Sequence, residues 1–161
     1  MTINPRERLR VDVLGVWTLV TLQSIGADGV AFYPLCPDLA GQLVYDVSGR
    51  MSAQIVRTDH PRFASDDNTQ ALPDEMAAAW HGYIGYFGTF TIDPEAGVVT
   101  HHVEGAWFPN LDGTDVVRTC RLDGDRLVLE AHTDFGQTVI IWKRVPSSGA
   151  AAGYASSVSS A

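Results

Sequence analysis

Short stretches of alternating apolar and polar residues, separated by tight turns, run along the chain from residue 15 to residue 144. The stretches are rich in Val, Ile, Thr, Trp and Tyr, which favour strands over helices. Residues 48–50 (Ser-Gly-Arg), 93–97 (Asp-Pro-Glu-Ala-Gly) and 123–125 (Asp-Gly-Asp) are typical of hairpin turns. The pattern predicts eight strands in meander order, at residues 15–24, 41–47, 51–56, 86–92, 98–104, 115–122, 126–130 and 137–144.

One segment departs from the strand pattern. Residues 72–83 contain Pro-Asp-Glu followed by an Ala run, which predicts a helix, because acidic residues favour a first turn and Ala is a strong helix former. The polar residues 58–70 before it are expected to form a loop, and a short helix is predicted near residues 6–13. Trp80 lies on the inserted helix, which would either cover the mouth of a barrel as a lid or pack against its rim.

Eight antiparallel strands with period-two alternation can close into an up-and-down barrel, which leaves no exposed sheet edge. We therefore predict an all-β fold, an eight-stranded antiparallel up-and-down barrel with one inserted helix and a short N-terminal helix. A flattened sandwich is the alternative. The barrel domain is expected to span residues 1–145. Residues 146–161 are small, uncharged and poor in apolar bulk, and are expected to form a flexible tail.

Composition narrows the classes of partner. The 161 residues fit one domain, 45% of them are apolar, and the net charge is −8. The acidic balance disfavours nucleic acids and anionic membranes, and no apolar run approaches the roughly 20 residues of a membrane span. The N-terminus lacks the apolar segment of a secretory signal, and Cys36 and Cys120 are expected to be free thiols. The missing signal and the two expected free thiols predict a cytoplasmic protein. We expect it to be a monomer or a homodimer.

The Gly-x-Trp motif at residues 15–17 resembles that of lipocalins and related barrels. In those proteins the Trp lies at the closed end of the barrel and a basic residue of the last strand lies across it, as Arg144 or Lys143 would here. Other segments, covering together with this motif about residues 12–145, resemble the bacterial and fungal lipocalin-like domain family: 41–45 (GQLVY), 49–54 (GRMSAQ), 86–90 (YFGTF), 100–104 (THHVE), 108–110 (FPN) and 113–118 (GTDVVR). The resemblance implies an eight-stranded barrel with a central cavity. Some similar barrels steer cyclisation or isomerisation of a reactive intermediate in natural-product pathways.

Strand alternation indicates which side chains face the interior, because successive residues of a strand point to opposite faces. We expect the more apolar face of each strand to point inward. In residues 98–104 this places His101 inside and His102 outside, unless a bulge exchanges them. The other expected inward residues are Trp17, Leu19, Thr21, Gln23, Leu43, Tyr45, Val47, Met51, Ala53, Ile55, Tyr86, Gly88, Phe90, Ile92, Val99, Val103, Gly105, Trp107, Val116, Arg118, Cys120 and Leu122.

Few of these inward residues are polar, and they are the candidates for chemistry. An imidazole in an apolar pocket is a candidate acid or base, a Tyr hydroxyl can donate to a carbonyl or enolate oxygen, and a guanidinium can hold a carboxylate or polarise a carbonyl. We predict His101, Tyr45 and Arg118 as catalytic residues, with Gln23 as a further polar candidate. The predicted ligand-binding residues are Trp17, Met51, Tyr86, Phe90 and Trp107.

Structural roles are the alternatives for the same residues. Both tyrosines could be ordinary core aromatics, and His101 a hydrogen-bonded core residue. If its strand presented the opposite face, Arg118 would pair with Glu104 or Asp115. A nucleophilic pair of Cys120 and His101 is conceivable, although buried thiols are more often inert.

No cofactor or metal is expected. The sequence contains no Gly-rich phosphate-binding loop and no nucleotide-binding glycine fingerprint. The adjacent His101 and His102 point to opposite faces of a strand, so they cannot hold one ion inside the barrel.

The leading functional hypothesis is a cofactor-independent cyclase or isomerase of specialised metabolism, which holds an apolar, carbonyl-bearing intermediate in the barrel. The alternative is a non-catalytic carrier of a small hydrophobic molecule. A third hypothesis is a structural barrel filled by its own large side chains, such as Trp17, Tyr45, Phe90 and Trp107.

Overall fold

The computed structural model describes residues 5–133 and 136–147. From residue 148 onward, the predicted tail lies outside the described residues. The helices are α1 (Pro5–Asp12) and α2 (Pro73–His81), with two short 3-10 helices at Asn68–Gln70 and Pro109–Leu111. The strands are β1 (Gly15–Gly26), β2 (Ala31–Phe32), β3 (Leu39–Tyr45), β4 (Arg50–Arg57), β5 (Tyr83–Asp93), β6 (Val98–Ala106), β7 (Asp115–Asp123), β8 (Arg126–Thr133) and β9 (Gly136–Arg144).

Eight of these strands form one closed antiparallel barrel. From β3 to β9 each strand pairs with the next, β1 pairs with β3, and β1 also pairs with β9 from Trp17 to Gly26. The two-residue strand β2 pairs with the end of β1. The predicted barrel with an inserted helix and a short N-terminal helix is therefore confirmed, and the flattened sandwich is wrong, because β1 and β9 leave no open edge between them. Within the described ranges, neither helix is long and apolar enough to cross a membrane.

The two ends of the barrel differ in their connections. Tight hairpin turns join β3 to β4, β5 to β6 and β7 to β8 at one end, which we call the closed end. Gly49 and Gly124 occupy two of these turns with φ of +84° and +61°, conformations that suit glycine. The long connections, residues 27–38, 58–82 and 107–114, lie at the opposite end, which we call the open end.

The closed end is filled by packed side chains. Trp17 is fully buried, and its indole Nε1 donates a hydrogen bond to the Val13 carbonyl oxygen at 2.9 Å. The guanidinium carbon of Arg144 lies 4.1 Å from the centroid of the Trp17 ring. Arg144 also donates to the carbonyl oxygens of Leu14, at 2.9 Å, and of Asp12. The basic residue that the resemblance places over the Trp is thus Arg144, while Lys143 is exposed.

Some predicted inward residues face elsewhere. The pairing of β1 with β9 shifts between Leu19 and Thr21, which marks a bulge at the intervening residue. A bulge inserts one extra residue and therefore exchanges the two faces of the strand beyond it. Leu22 and Ser24 are buried and line the interior, so the inward placement of Thr21 and Gln23 is wrong.

Val47 was also predicted to face inward and is 84% exposed. It lies in the turn, two residues beyond Tyr45, the last residue of β3, and strand alternation no longer applies there.

Candidate ligand-binding site

A cavity of about 340 Å³ occupies the barrel interior and reaches the residues of the open end. Ligand sites commonly measure about 300–1,000 Å³, so this volume suits a small molecule. Most of the lining is aliphatic, including Leu22, Leu43, Ile55, Ile84, Leu129 and Ile140. A barrel filled completely by its own side chains is therefore not what the chain forms.

The predicted site residues divide into two groups by their place in the barrel. Tyr86, His101, Arg118 and Trp107 line the cavity. Tyr45 is buried behind His101 and contacts it. Three predicted ligand-binding residues do not line the cavity; they belong to or pack against the core, and they are Trp17, Met51 and Phe90.

Tyr45, His101 and Tyr86 form a continuous chain of hydrogen bonds. The Tyr45 hydroxyl lies 2.6 Å from His101 Nε2, and the Tyr86 hydroxyl lies 2.9 Å from His101 Nδ1. His101 is 1% exposed and faces inward, as the alternation predicts. Phe90 packs on the ring of Tyr45 with 4.6 Å between ring centroids. The chain begins in the core at Tyr45 and ends at the cavity wall at Tyr86.

The direction of the hydrogen bonds follows from their partners. In a neutral imidazole one ring nitrogen donates and the other accepts. Among the described residues, the Tyr45 hydroxyl has no partner besides His101, and a buried unpaired hydroxyl costs about 1–3 kcal/mol. We therefore assign Tyr45 as the donor to Nε2 and Nδ1–H as the donor to the Tyr86 oxygen. The hydroxyl hydrogen of Tyr86 then remains available to the cavity.

The His101 imidazole is neutral at physiological pH. Burial is the main reason that its pKa is lowered to about 3, and electrostatic interactions with Arg118 and His102 act in the same direction. Burial raises the pKa of Tyr45 and of Tyr86, and the charge of Arg118 opposes this rise at both phenols. The site at neutral pH therefore contains two phenols, a neutral imidazole and one guanidinium.

Arg118 is the cation of the cavity wall. It is half-buried. Its charge and its hydrogen bonding to the Tyr86 hydroxyl both act to lower the pKa of Tyr86. Within the described ranges it forms no ion pair, because Glu104 binds Arg50 through both carboxylate oxygens and Asp115 lies 2.7 Å from His102 Nδ1. The alternative pairing of Arg118 with Glu104 or Asp115 is therefore wrong.

Two other candidate chemistries find little support in the geometry. Burial raises the pKa of Cys120 to about 11, so its thiol is not poised to act as a nucleophile. The described part of the chain contains no group of three or more His, Cys, Asp or Glu that could hold a metal ion. Cys36 and Cys120 are both free, as predicted.

Sequence reasoning missed the wall formed by β1 and β9. Leu22, Ser24, Thr138 and Trp142 line the cavity there. The alternation of Thr138 and Trp142 with the residues between them was a usable signal for β9. The bulge in β1 left no comparable signal, because Val20 looks like any other strand residue.

The fold and the cavity define a class of protein, the lipocalin-like barrels. The model of the lipocalin-like domain family matches residues 14–145, and the chain belongs to this family. This confirms the resemblance seen in the sequence segments.

A relative with a recorded role is similar to this chain. It is the 4'-hydroxy-3'-methoxypropiophenone carrier protein ppsC of Aspergillus oryzae. The two chains are 33% identical over 108 residues, which cover 60% of this chain and 97% of the fungal protein.

Proposed function

We propose that this protein binds a small apolar molecule in its barrel and holds the carbonyl oxygen of that molecule at Tyr86 and Arg118. The observation that carries the proposal is the hydrogen-bond chain, which leaves the Tyr86 hydroxyl hydrogen free at the wall of an apolar cavity. The Tyr86 hydroxyl and the Arg118 guanidinium are both donors to which a ligand could supply an acceptor, and one carbonyl oxygen accepts two hydrogen bonds. The fungal relative is named as the carrier of an aryl ketone, which fits this ligand class.

A carrier role fits the protonation states better than general acid–base catalysis does. A catalytic base works best with a pKa near the working pH. His101, with a pKa of about 3, is too weak a base to remove a proton at neutral pH, and the tyrosines are too strongly protonated. The groups of the cavity wall are hydrogen-bond donors, which suit recognition of a polarised oxygen. The two free thiols are compatible with the reducing cytoplasm as the site of action.

Binding of propiophenone, measured by isothermal titration calorimetry, tests the proposal. Wild-type protein should bind the ketone, and Tyr86→Phe and Arg118→Met should each weaken binding about 10-fold, because a charge-assisted or buried hydrogen bond contributes about 1–3 kcal/mol. Tyr83→Phe is the matched control, since Tyr83 lies on the same strand and does not line the cavity. Equal affinity in all four proteins would contradict the assignment of the carbonyl site.

A second candidate function is cyclisation of a bound ketone. The observation that favours it is Arg118, an unpaired cation among the described residues that faces an apolar cavity, where it would stabilise a developing enolate oxygen. The required nucleophile would have to belong to the substrate, because the cavity offers no suitable base. The protein would then act as a cyclase by polarising the carbonyl.

The probe for this second function is 2'-hydroxychalcone, whose hydroxyl is ortho to the carbonyl group on the ketone-bearing ring. Its phenol oxygen adds to its own enone: the C–O bond forms, the phenol proton moves to the α-carbon, and flavanone results with no atom gained or lost. A cyclase should yield one enantiomer in excess, detectable by chiral chromatography, and Arg118→Met should remove the excess. A carrier should leave the product racemic.

A further inference from the structure

A pair of hydroxyl groups forms a second polar spot in the cavity. Ser24 on β1 and Thr138 on β9 are direct partners in the register, and their hydroxyl oxygens lie 3.1 Å apart. Both residues line the cavity, and Ser24 is only 7% exposed. All other cavity residues contributed by these two strands are apolar or aromatic, namely Leu22, Ile140 and Trp142.

The hydrogen count leaves this pair with one unused donor. Two hydroxyls carry two hydrogens, and the bond between Ser24 and Thr138 uses one of them. Among the described residues neither hydroxyl has another partner. A buried hydroxyl hydrogen without an acceptor is costly, so an acceptor supplied by a ligand would stabilise the pair.

The pair lies across the barrel from Tyr86, the phenol of the carbonyl site. In the closed order of eight strands, β6 lies four strands from β1, and β5 lies four strands from β9, whichever way the barrel is followed. Tyr86 on β5 and His101 on β6 therefore occupy the wall opposite Ser24 and Thr138, whereas Arg118 on β7 lies two strands from β9. Most of the cavity lining around these two groups of hydroxyls is aliphatic.

We infer that Ser24 and Thr138 form a second ligand subsite, which binds an oxygen at the end of the ligand remote from its carbonyl group. The inference rests on the proposed binding function and narrows its ligand class. The preferred ligand carries an acceptor oxygen at each end of an apolar body, as a ring-hydroxylated or ring-alkoxylated aryl ketone does. A ketone without the second oxygen fills the same space and leaves the hydroxyl hydrogen unpaired.

Two probes of similar size test the subsite, para-hydroxypropiophenone and para-methylpropiophenone. Their affinities are compared by calorimetry in wild-type protein and in the double variant Ser24→Ala/Thr138→Val, because either single variant would leave one hydroxyl hydrogen free to donate. Wild-type protein should bind the hydroxyl compound about 10-fold more tightly than the methyl compound, and the double variant, which has neither hydroxyl, should bring this ratio close to one. Thr18→Val is the control, because Thr18 is on β1 and exposed, and the ratio should survive there.

Affinity for the methyl probe shows whether a variant still folds around its cavity, since this ligand does not need the hydroxyl pair. A wild-type ratio near one, or a ratio that survives in the double variant, would overturn the subsite. If propiophenone binding still depends on Tyr86 in that case, the proposed function stands alone. If wild-type protein binds none of these ketones, the proposed function and the subsite both fall.

Discussion

His101 illustrates how the surroundings of one side chain decide its chemistry. An imidazole in an apolar pocket looks, in sequence, like an acid or base for neutral pH. Burial instead lowers its pKa to about 3, and both ring nitrogens are occupied by phenols. The residue is therefore suited to orienting Tyr86, which together with Arg118 would contact the ligand in the proposed function.

The buried neutral imidazole predicts that acid destabilises the fold. The unfolded chain binds a proton at His101 near pH 6.5, and the folded protein binds it only near pH 3. Between these values the unfolded state holds more protons, so the free energy of unfolding falls as the pH falls. From pH 7 to pH 5 this one residue should cost about 2 kcal/mol.

Urea unfolding at several pH values between 7 and 5 measures this loss. His101→Gln should remove most of the slope, because glutamine keeps one donor and one acceptor but does not titrate. His81→Gln changes an exposed histidine and should keep the slope. An unaltered slope in His101→Gln would mean that the imidazole is not the titrating group.

At the level of elements, bulges in the strands determine which side chains line the cavity. The pairing of β5 with β6 shifts between Phe87 and Gly88, as the pairing of β1 with β9 shifts near Val20. Gly88 allows this shift, because a Cβ atom there would overlap the carbonyl oxygen of His102. The extra residue is Glu104 of β6, because Phe87 pairs with Gly105 and Gly88 pairs with Val103. Tyr86 pairs with Ala106 just beyond it, so the bulge sets the position of a phenol that lines the cavity.

Gly88→Ala should therefore destabilise the barrel by about 3 kcal/mol, because the clash is with backbone that cannot move aside. Gly105→Ala is the matched control. A Cβ there would lie 2.8 Å from the ring of Phe87, which is half exposed and free to turn, so the loss should be about 1 kcal/mol or less. Thermal unfolding of both variants checks the difference, and equal losses would contradict this account of the bulge.

The elements also show what could be predicted from sequence. Strand order, the inserted helix and the inward face of His101 followed from local patterns, because alternation and turn residues are local properties. The faces of Thr21 and Gln23 were wrong, because the bulge before them depends on pairing with β9. The contact of His101 with Tyr45 joins residues 56 positions apart, and no local pattern indicates such a distance.

At the level of the whole molecule, the barrel divides into a packed half and a hollow half. Large inward residues alone did not indicate which half would be empty, since Trp17 and Trp107 look equivalent in sequence. Trp17 belongs to the closed end, and Trp107 lines the cavity and contacts Trp80 of α2, with 6.2 Å between ring centroids. Volume inside a barrel is a property of all its strands together, and therefore required the structure.

The packed half depends on Arg144, which links the last strand to both the first strand and the segment before it. Arg144→Met should lower the free energy of unfolding by about 2–3 kcal/mol, because hydrogen bonds from a charged group to the Leu14 and Asp12 carbonyls are lost with the contact on Trp17. Chemical unfolding measures the change. Lys143→Met should cost less than about 0.5 kcal/mol, since its contact with Asp125 is exposed and 3.8 Å long. Similar losses in the two variants would contradict the role of Arg144.

The pairing of Trp17 with Arg144 brings the start of the first strand and the end of the last strand together at the pole away from the cavity mouth. Any sequence attached before or after the barrel therefore departs from that pole. A fused enzyme, a tether or a solid support joined there would leave the entrance unobstructed. In the proposed binding role, an anchored protein would keep its cavity open to the ligand, and immobilised biosensors built from it should be attached through either terminus.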